Sequence, residues 1–428
     1  MNASELAVGP PTTSEPEPRL RDTQFGWLWL NAVSFTLIST AERFTFVWLV
    51  IEVLKGPGWA SGGILFALGL PVFLLVLPAG AIADRYDRRR LLLITQLAGA
   101  LITLLSAVLL WTDQMTLPIA FFPAIALGCA MAFGMPVRSS LVSAVVPRPL
   151  LMKAIAANTV GMNIAMIVGP VIGGFAVRNW GIAAAFAIES GLFALGFASL
   201  WALRIPAHVI DASKSERPGG ARATARSLLR SIGDGLRFVW SVPSLRSLFA
   251  LLLAGGFLMM GSASALLPRI ARDEFGKAAD QASALFAFMG AGMTCTSVYL
   301  LTRRQVKRRG LLFLVAMTSG TTCHLVMGFA PSYLVLAGLL VWWGASGGFY
   351  ANLNQTLIQS ATPLDMMGRV MSLAVLANAG VAPLGSLLAG TVADSRLGPQ
   401  ATFGAFGIVG MCTVATAWVF ARSLRAIP

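Results

Sequence analysis

Gly80-Ala81-Ile82-Ala83-Asp84-Arg85-Tyr86-Asp87-Arg88-Arg89-Arg90 carries six charges in eleven residues, between two runs, 60–82 and 91–112, that carry none. An uncharged run of about 20 residues is long enough to cross a bilayer as a helix, which makes all its backbone hydrogen bonds within itself. The charged stretch between two such runs is then a loop held at a membrane surface, because a charge at the bilayer centre costs about 3 kcal/mol or more.

Working outward from this loop, ten further apolar stretches join the two that flank it. The twelve cover 25–50, 60–82, 91–112, 117–146, 154–177, 183–203, 246–268, 281–301, 311–330, 333–358, 370–393 and 400–421. The fourth is long and contains Pro136, which predicts a kink or an extension past the membrane. Only 12% of the 428 residues are charged and 56% are hydrophobic, where a soluble domain carries about twice that charged fraction. The 43 glycines suit helices that approach closely in lipid. The expected fold is an all-α integral membrane protein of twelve transmembrane helices.

With the N-terminus inside, the loops on that side hold 24 of the 32 lysines and arginines; the opposite loops hold 6, and Arg43 and Arg138 fall within spans. This bias predicts that both termini are cytoplasmic. It also explains the net charge of +14 without nucleic acid. Residues 1–24 read as a disordered cytoplasmic tail with no signal peptide. A first six-helix bundle follows at 25–204, a cytoplasmic linker at 205–245, a second bundle at 246–422 and a short tail at 423–428. Within the linker, Leu229, Ile232, Leu236 and Trp240 share one helical face while Arg226, Arg230 and Arg237 lie elsewhere around it. That pattern predicts an amphipathic helix on the inner leaflet.

The two bundles repeat one another. A shift of 216 residues superposes Leu141 on Leu357, Pro147 on Pro363, Lys153 on Arg369, Gly169 on Gly385 and Gly174 on Gly390 without a gap. Two related six-helix halves are the arrangement of a secondary transporter, with its site near the midplane between them. In such a bundle Asp84 sits where the eleventh span begins, and a carboxylate there can face the positive end of that helix and hold the halves together on the inside. Arg85, Arg88, Arg89 and Arg90 also serve as topology determinants. The matching loop of the second half, 303–309, keeps basic residues and lacks the acid.

The spacing of Gly80, Asp84, Arg85, Arg88 and Arg89 resembles the signature loop of the major facilitator superfamily, G-x-x-x-D-R-x-G-R-R, with Asp87 where the family has glycine. Gly169-Pro170-Val171-Ile172-Gly173-Gly174 resembles the antiporter motif of its exporters, with Ala156 and Ala165 in place of two upstream glycines. Independently of any family, Ala157, Gly161, Ala165, Gly169 and Gly173 form a ridge of small residues suited to close packing. Residues 235–246, Met135-Pro136-Val137-Arg138, 368–372 and 383–385 are similar to the enterobactin-exporter branch, also called macrolide-efflux-like or transmembrane secretion effector. The resemblance implies a proton-linked exporter of siderophores, antibiotics or related metabolites.

Ionisable groups inside spans are functional candidates, because burying them is expensive. Glu42 and Arg43 lie in the first span, Arg138 in the fourth and Glu189 in the sixth. Glu42 is a candidate proton carrier assisted by Arg138, and a static ion pair is the alternative. The two differ in depth, at roughly 25 and 12 Å from the inner surface. Glu189 lies near enough to the end of its span to face water. Asn31, Asn158, Asn163, Asn352, Asn354, Gln355 and Asn378 could line a cavity or bridge helices. His324 reads as a packing residue.

No phosphate-binding G-x-x-x-x-G-K-[ST] loop, metalloprotease H-E-x-x-H or hydrolase G-x-S-x-G motif is present. Cys129, Cys295, Cys323 and Cys412 fall in apolar segments without a paired spacing. The expected protein is therefore no enzyme and uses no cofactor or metal. It is a monomeric multi-pass protein of the bacterial inner membrane that exchanges a small molecule for protons by alternating access. An importer of the same fold and a non-transporting sensor or scaffold are the alternatives.

Overall fold

The computed structural model describes residues 23–83, 87–147, 150–203, 221–302 and 308–425. Among them there is no strand, and twelve helices are long and apolar enough to cross a membrane. The first half holds α1 (Phe25–Val53), α2 (Gly58–Ala83), α3 (Arg88–Trp111), α4 (Leu117–Val145), α5 (Leu151–Trp180) and α6 (Ile182–Ala202). A linker helix, α7 (Ala221–Ser241), leads to the second half. That half holds α8 (Pro243–Asp273), α9 (Ala279–Thr302), α10 (Arg309–Met327), α11 (Tyr333–Ser360), α12 (Leu364–Ala393) and α13 (Gly398–Phe420), with a last short turn at Arg422–Arg425. The helices bury few charges and expose apolar side chains such as Ile94, Leu101, Phe122 and Ile164 on their outer faces, as lipid contact requires.

The end of the bundle carrying the termini is called proximal below, and the opposite end distal. Exposed tryptophans mark both: Trp27, Trp201 and Trp240 at the proximal end, Trp59, Trp111 and Trp180 at the distal end. Such amphipathic rings settle at the two membrane–water interfaces. The α4 helix is unbroken through Pro136 and has 29 residues. At the helical rise it is about 43 Å long and so outreaches the hydrocarbon core. The single residue between α5 and α6, Gly181, has φ +85°, a conformation that favours glycine and lets two long helices reverse in one step.

The repeat is visible in the packing. Leu117 and Tyr333, the first residues of α4 and α11, are 216 positions apart. Gly169 lets α5 approach the backbone of α1 at Leu37 and Ala41, while Gly385 lets α12 approach the backbone of α8 at Phe257. Gly174 meets Ser283 and Ala279 of α9 across the interface between halves, and Gly390 meets Gly58 and Gly62 of α2 across the same interface. Each repeated glycine thus makes the same kind of contact twice, once in each half.

Two helices interrupt their regular hydrogen bonding. The last turn of α1, Leu49–Val53, and the segment Gly255–Gly261 inside α8 are π-helical. The first forms the distal end of α1, beside the contact between halves; the second lies in the middle of a span, facing polar residues of α11 and α12.

Candidate functional site

Glu42 lies on the face of α1 that packs on α6. It is 1% exposed, and neither carboxylate oxygen has a hydrogen-bond partner among the described residues. Three residues on, about one turn, Thr45 donates its hydroxyl to Glu189 Oε1 of α6 at 2.7 Å. Glu189 is itself 2% exposed, and its Oε2 is unbonded. The charged groups in electrostatic reach of Glu42 are Glu189 and Arg43. Position alone allowed Glu189 to face water; instead the structure buries it beside Glu42. Two buried carboxylates from two helices lie within electrostatic reach of each other, and two negative charges there without a bonded cation are costly.

Arg138 does not pair with Glu42. Its Nε donates to Asn31 Oδ1 at 2.8 Å, and its guanidinium lies 3.6 Å from the centre of the Phe35 ring. Depth explains the pairing, since Asn31 and Arg138 both lie roughly 10 Å from the proximal ends of α1 and α4. Asn31 in turn donates Nδ2 to the Gly196 carbonyl of α6 at 3.0 Å. Gln96 of α3 sits against Gly196 as well, buried and without a hydrogen bond among the described residues. The result is a second polar cluster in the first half, proximal to the carboxylate pair. Arg43 behaves differently, being exposed near the middle of the otherwise mostly buried α1.

The asparagines divide by environment. Asn31 is fully buried and bonded, and Asn354 is buried with its Nδ2 unpartnered among the described residues. Asn158 is half-buried against Met162, while Asn163, Asn352, Gln355 and Asn378 are exposed. Asn378 and the Tyr350 hydroxyl converge on Gly256 and Gly255 at the start of the α8 π-segment. Just past the end of that segment, Ser262 meets His324 Nε2 at 3.2 Å. His324 is fully buried and stacked on Phe403 at 3.8 Å between centroids.

The two halves meet at the distal end. Asp394, which ends α12, accepts hydrogen bonds from the backbone N–H of Gly58 and, at 2.8 Å, of Trp59, the first residues of α2. Arg269 of α8 donates Nη2 to the Gly56 carbonyl at 2.7 Å and to Ser61 Oγ at 3.2 Å. Arg272 pairs with Glu52 at 2.6 Å. Below this rim, α2 and α12 interlock through Gly62 against Ser386 and Gly69 against Pro383. By position in the sequence Arg269 and Arg272 are loop charges; in the structure both join the halves.

At the proximal end, Asp84 and Arg85 lie outside the described residues, and Gly80 falls in the last turn of α2. Asp87, the departure from the motif, caps α3 by accepting from the Arg90 N–H at 3.0 Å. A capping carboxylate favours a helix start, so this position works without glycine. Arg89 donates to the carbonyls of Leu200 and Trp201 at 2.9 and 2.7 Å, closing the C-terminal turn of α6. Arg88 is half-buried.

The small-residue ridge of α5 lies on α1. Trp29 Nε1 donates to the Ala157 carbonyl at 3.0 Å, Gly161 meets Trp29 and Val33, and Thr40 donates to the Ala165 carbonyl at 3.3 Å. Gly169 and Gly173 continue the contact, and Pro170 is buried within the helix. Among the described residues no three His, Cys, Asp or Glu side chains cluster as metal ligands would.

The model of the Major Facilitator Superfamily matches residues 28–385. Multidrug efflux pump Tap of Mycobacterium tuberculosis (strain ATCC 25618 / H37Rv) is 28% identical over 376 residues, covering 86% of each chain. Enterobactin exporter EntS of Escherichia coli O1:K1 / APEC is 24% identical, covering 88% of this chain and 86% of its own. The crystal structure of nucleoside transporter NupG aligns with a TM-score of 0.69 at 15% identity, over 93% of this chain and 99% of that one. A match over most of the chain, the twelve spans and the duplicated packing agree, and the protein belongs to the Major Facilitator Superfamily.

Proposed function

We propose that the protein is a proton-coupled exporter of a small organic molecule across the bacterial inner membrane, acting as a monomer by alternating access. The Tap and EntS relatives, an efflux pump and an exporter by name, support the direction. The charge bias of the loops supports cytoplasmic termini. In that orientation the distal end is periplasmic, and the closed rim of Asp394, Arg269 and Arg272 makes this a state shut to the outside.

The observation that carries the coupling is the pair of Glu42 and Glu189. Two buried carboxylates, one with no hydrogen bond among the described residues and one held by Thr45, are suited to holding a proton between them. Movement of α1 against α6, or entry of water, would separate the pair and let the proton leave. Exposed Arg43, Asn163 and Asn378 are the proposed lining of the substrate path, and the proposed role of Asp84 and Arg85 is to hold the inner end closed in the opposite state. Siderophores, antibiotics and related metabolites are the proposed substrates.

Proteoliposomes loaded with candidate substrates test the reading. Uphill transport under an imposed pH gradient, lost in Glu42→Gln while counterflow persists, supports it. If uphill transport in Glu42→Gln matches the parent, the coupling role is wrong; if counterflow fails for every compound, the sensor or scaffold alternative stands.

A further inference from the structure

The linker helix α7 divides into three sectors. At about 100° per residue, Gly235, Phe238 and Val239 fall together, and this sector faces the protein. Val239 is 2% exposed, and Gly235 lies against Leu373 and Arg369 of α12. Arg369 also reaches Asp234 at 3.5 Å, fixing the helix to the second half. The next sector holds Leu236 and Trp240, which are 54% and 67% exposed. The third holds Arg230 and Arg237, both exposed. Arg246, exposed in the first turn of α8, follows on the same connection. None of the three arginines has a bonded partner among the described residues.

An exposed Leu–Trp stripe bordered by exposed arginines on a helix at the bundle's end is out of place in water and well placed at a lipid interface. Tryptophan settles at headgroup depth, and arginine binds phosphate through several donors at once. Basic residues beside a membrane-embedded helix attract anionic lipid. We propose that Leu236, Trp240, Arg230, Arg237 and Arg246 form a binding surface for anionic phospholipid of the leaflet on the proximal side, with the two apolar side chains among the acyl chains and the three guanidinium groups on headgroup phosphate.

The surface does not depend on the substrate or on proton coupling, so it can be tested with the purified full-length protein in detergent. Binding of fluorescent cardiolipin is titrated, with unlabelled cardiolipin, phosphatidylglycerol, phosphatidylcholine and soluble glycerol phosphate as competitors. Anionic lipids are expected to compete and phosphatidylcholine and glycerol phosphate to fail. Replacing Arg230, Arg237 and Arg246 by glutamine is expected to weaken cardiolipin binding by roughly fivefold per arginine. Trp240→Ala weakens it while leaving the preference for anionic headgroups. Arg178→Gln removes the same charge at the distal end and is expected to change nothing. Unaltered elution and melting of the variants show that they are folded. Equal competition by phosphatidylcholine, unchanged affinity in the triple variant, or an equal loss in Arg178→Gln each overturns the proposal. Competition by glycerol phosphate equal to that of cardiolipin overturns it too, in favour of a soluble phosphate ligand.

Discussion

Asp394 Oδ2 accepts a hydrogen bond from the backbone N–H of Trp59 at 2.8 Å, so a carboxylate at the C-terminal end of α12 caps the N-terminal turn of α2 in the other half. The first N–H groups of a helix lack partners within it, and the helix dipole favours an anion there. The contact exists only while the distal ends of the two halves touch. Asp394→Ala is therefore expected to weaken the closed distal end by about 1 kcal/mol, or roughly fivefold in the ratio of closed to open. Spin labels at Lys55 and Arg396, exposed at the distal end on the two different halves, read this as a larger population of long distances. An unchanged distance distribution would show that the rim closes without this cap.

The α2 and α12 helices run antiparallel, so the same chemistry is available at the other end. Asp84 follows α2, and α12 starts near Leu364. Asp84 capping α12 would favour the state closed at the proximal end, opposing Asp394. Asp84→Asn is then expected to shift the Lys55–Arg396 distances toward short values, opposite to Asp394→Ala, and the double variant to lie between. A shift of both variants in one direction excludes the opposition.

Spans, repeat and halves were legible because each rests on a local property, a run of apolar residues or a fixed shift. What the sequence hid was helix rotation. Glu42 and Glu189 lie far apart in the chain, and only the phase of α1 against α6 makes them neighbours. Depth gave a usable signal: Asn31 and Arg138 lie at matched heights, whereas Glu42 and Arg138 do not, and the height mismatch pointed away from that pair. Asp394 carried no such signal, because a lone acid in a loop with Arg396 reads as an ordinary surface residue until the start of α2 is placed beside it.

The carboxylate pair makes a prediction that separates binding from coupling. Glu189→Gln leaves an acceptor oxygen for the Thr45 hydroxyl but removes one carboxyl, and Thr45→Val removes the bond that holds Glu189. Both are expected to reduce uphill transport under a pH gradient while leaving substrate counterflow close to the parent level, and Glu189→Gln to flatten the dependence of transport on pH. Losing one hydrogen bond of this charge-assisted kind is worth about 2 kcal/mol, so Thr45→Val should be the milder variant. Loss of counterflow along with uphill transport would place the pair in substrate binding or folding instead.

Arg89 offers a stability prediction. Its two bonds to the Leu200 and Trp201 carbonyls satisfy acceptors that the end of α6 cannot satisfy alone. Arg89→Ala is expected to destabilise the first half by about 1–3 kcal/mol, visible as a lower melting temperature in detergent. Arg89→Lys should recover part of the loss, because one ammonium cannot span both carbonyls as the guanidinium does.

Two glycines five residues apart on α5 should fail in different ways. A methyl group on Gly169 would come within 2.5 Å of the Leu37 carbonyl of α1, inside one half, where backbone cannot yield without moving a helix. A methyl group on Gly174 would come within 2.6 Å of the Ala279 carbonyl of α9, across the interface between halves. Overpacking of this kind costs about 1–3 kcal/mol. For Gly169→Ala the strain is present in every conformation of the half, so melting temperature falls and the distal distance distribution keeps its shape. For Gly174→Ala the strain is present only when the distal ends meet, so it is relieved by opening; the label distances lengthen and the melting temperature changes little. If both variants lowered the melting temperature equally and left the distances alone, the contact at Gly174 would belong to the rigid packing and not to the moving interface.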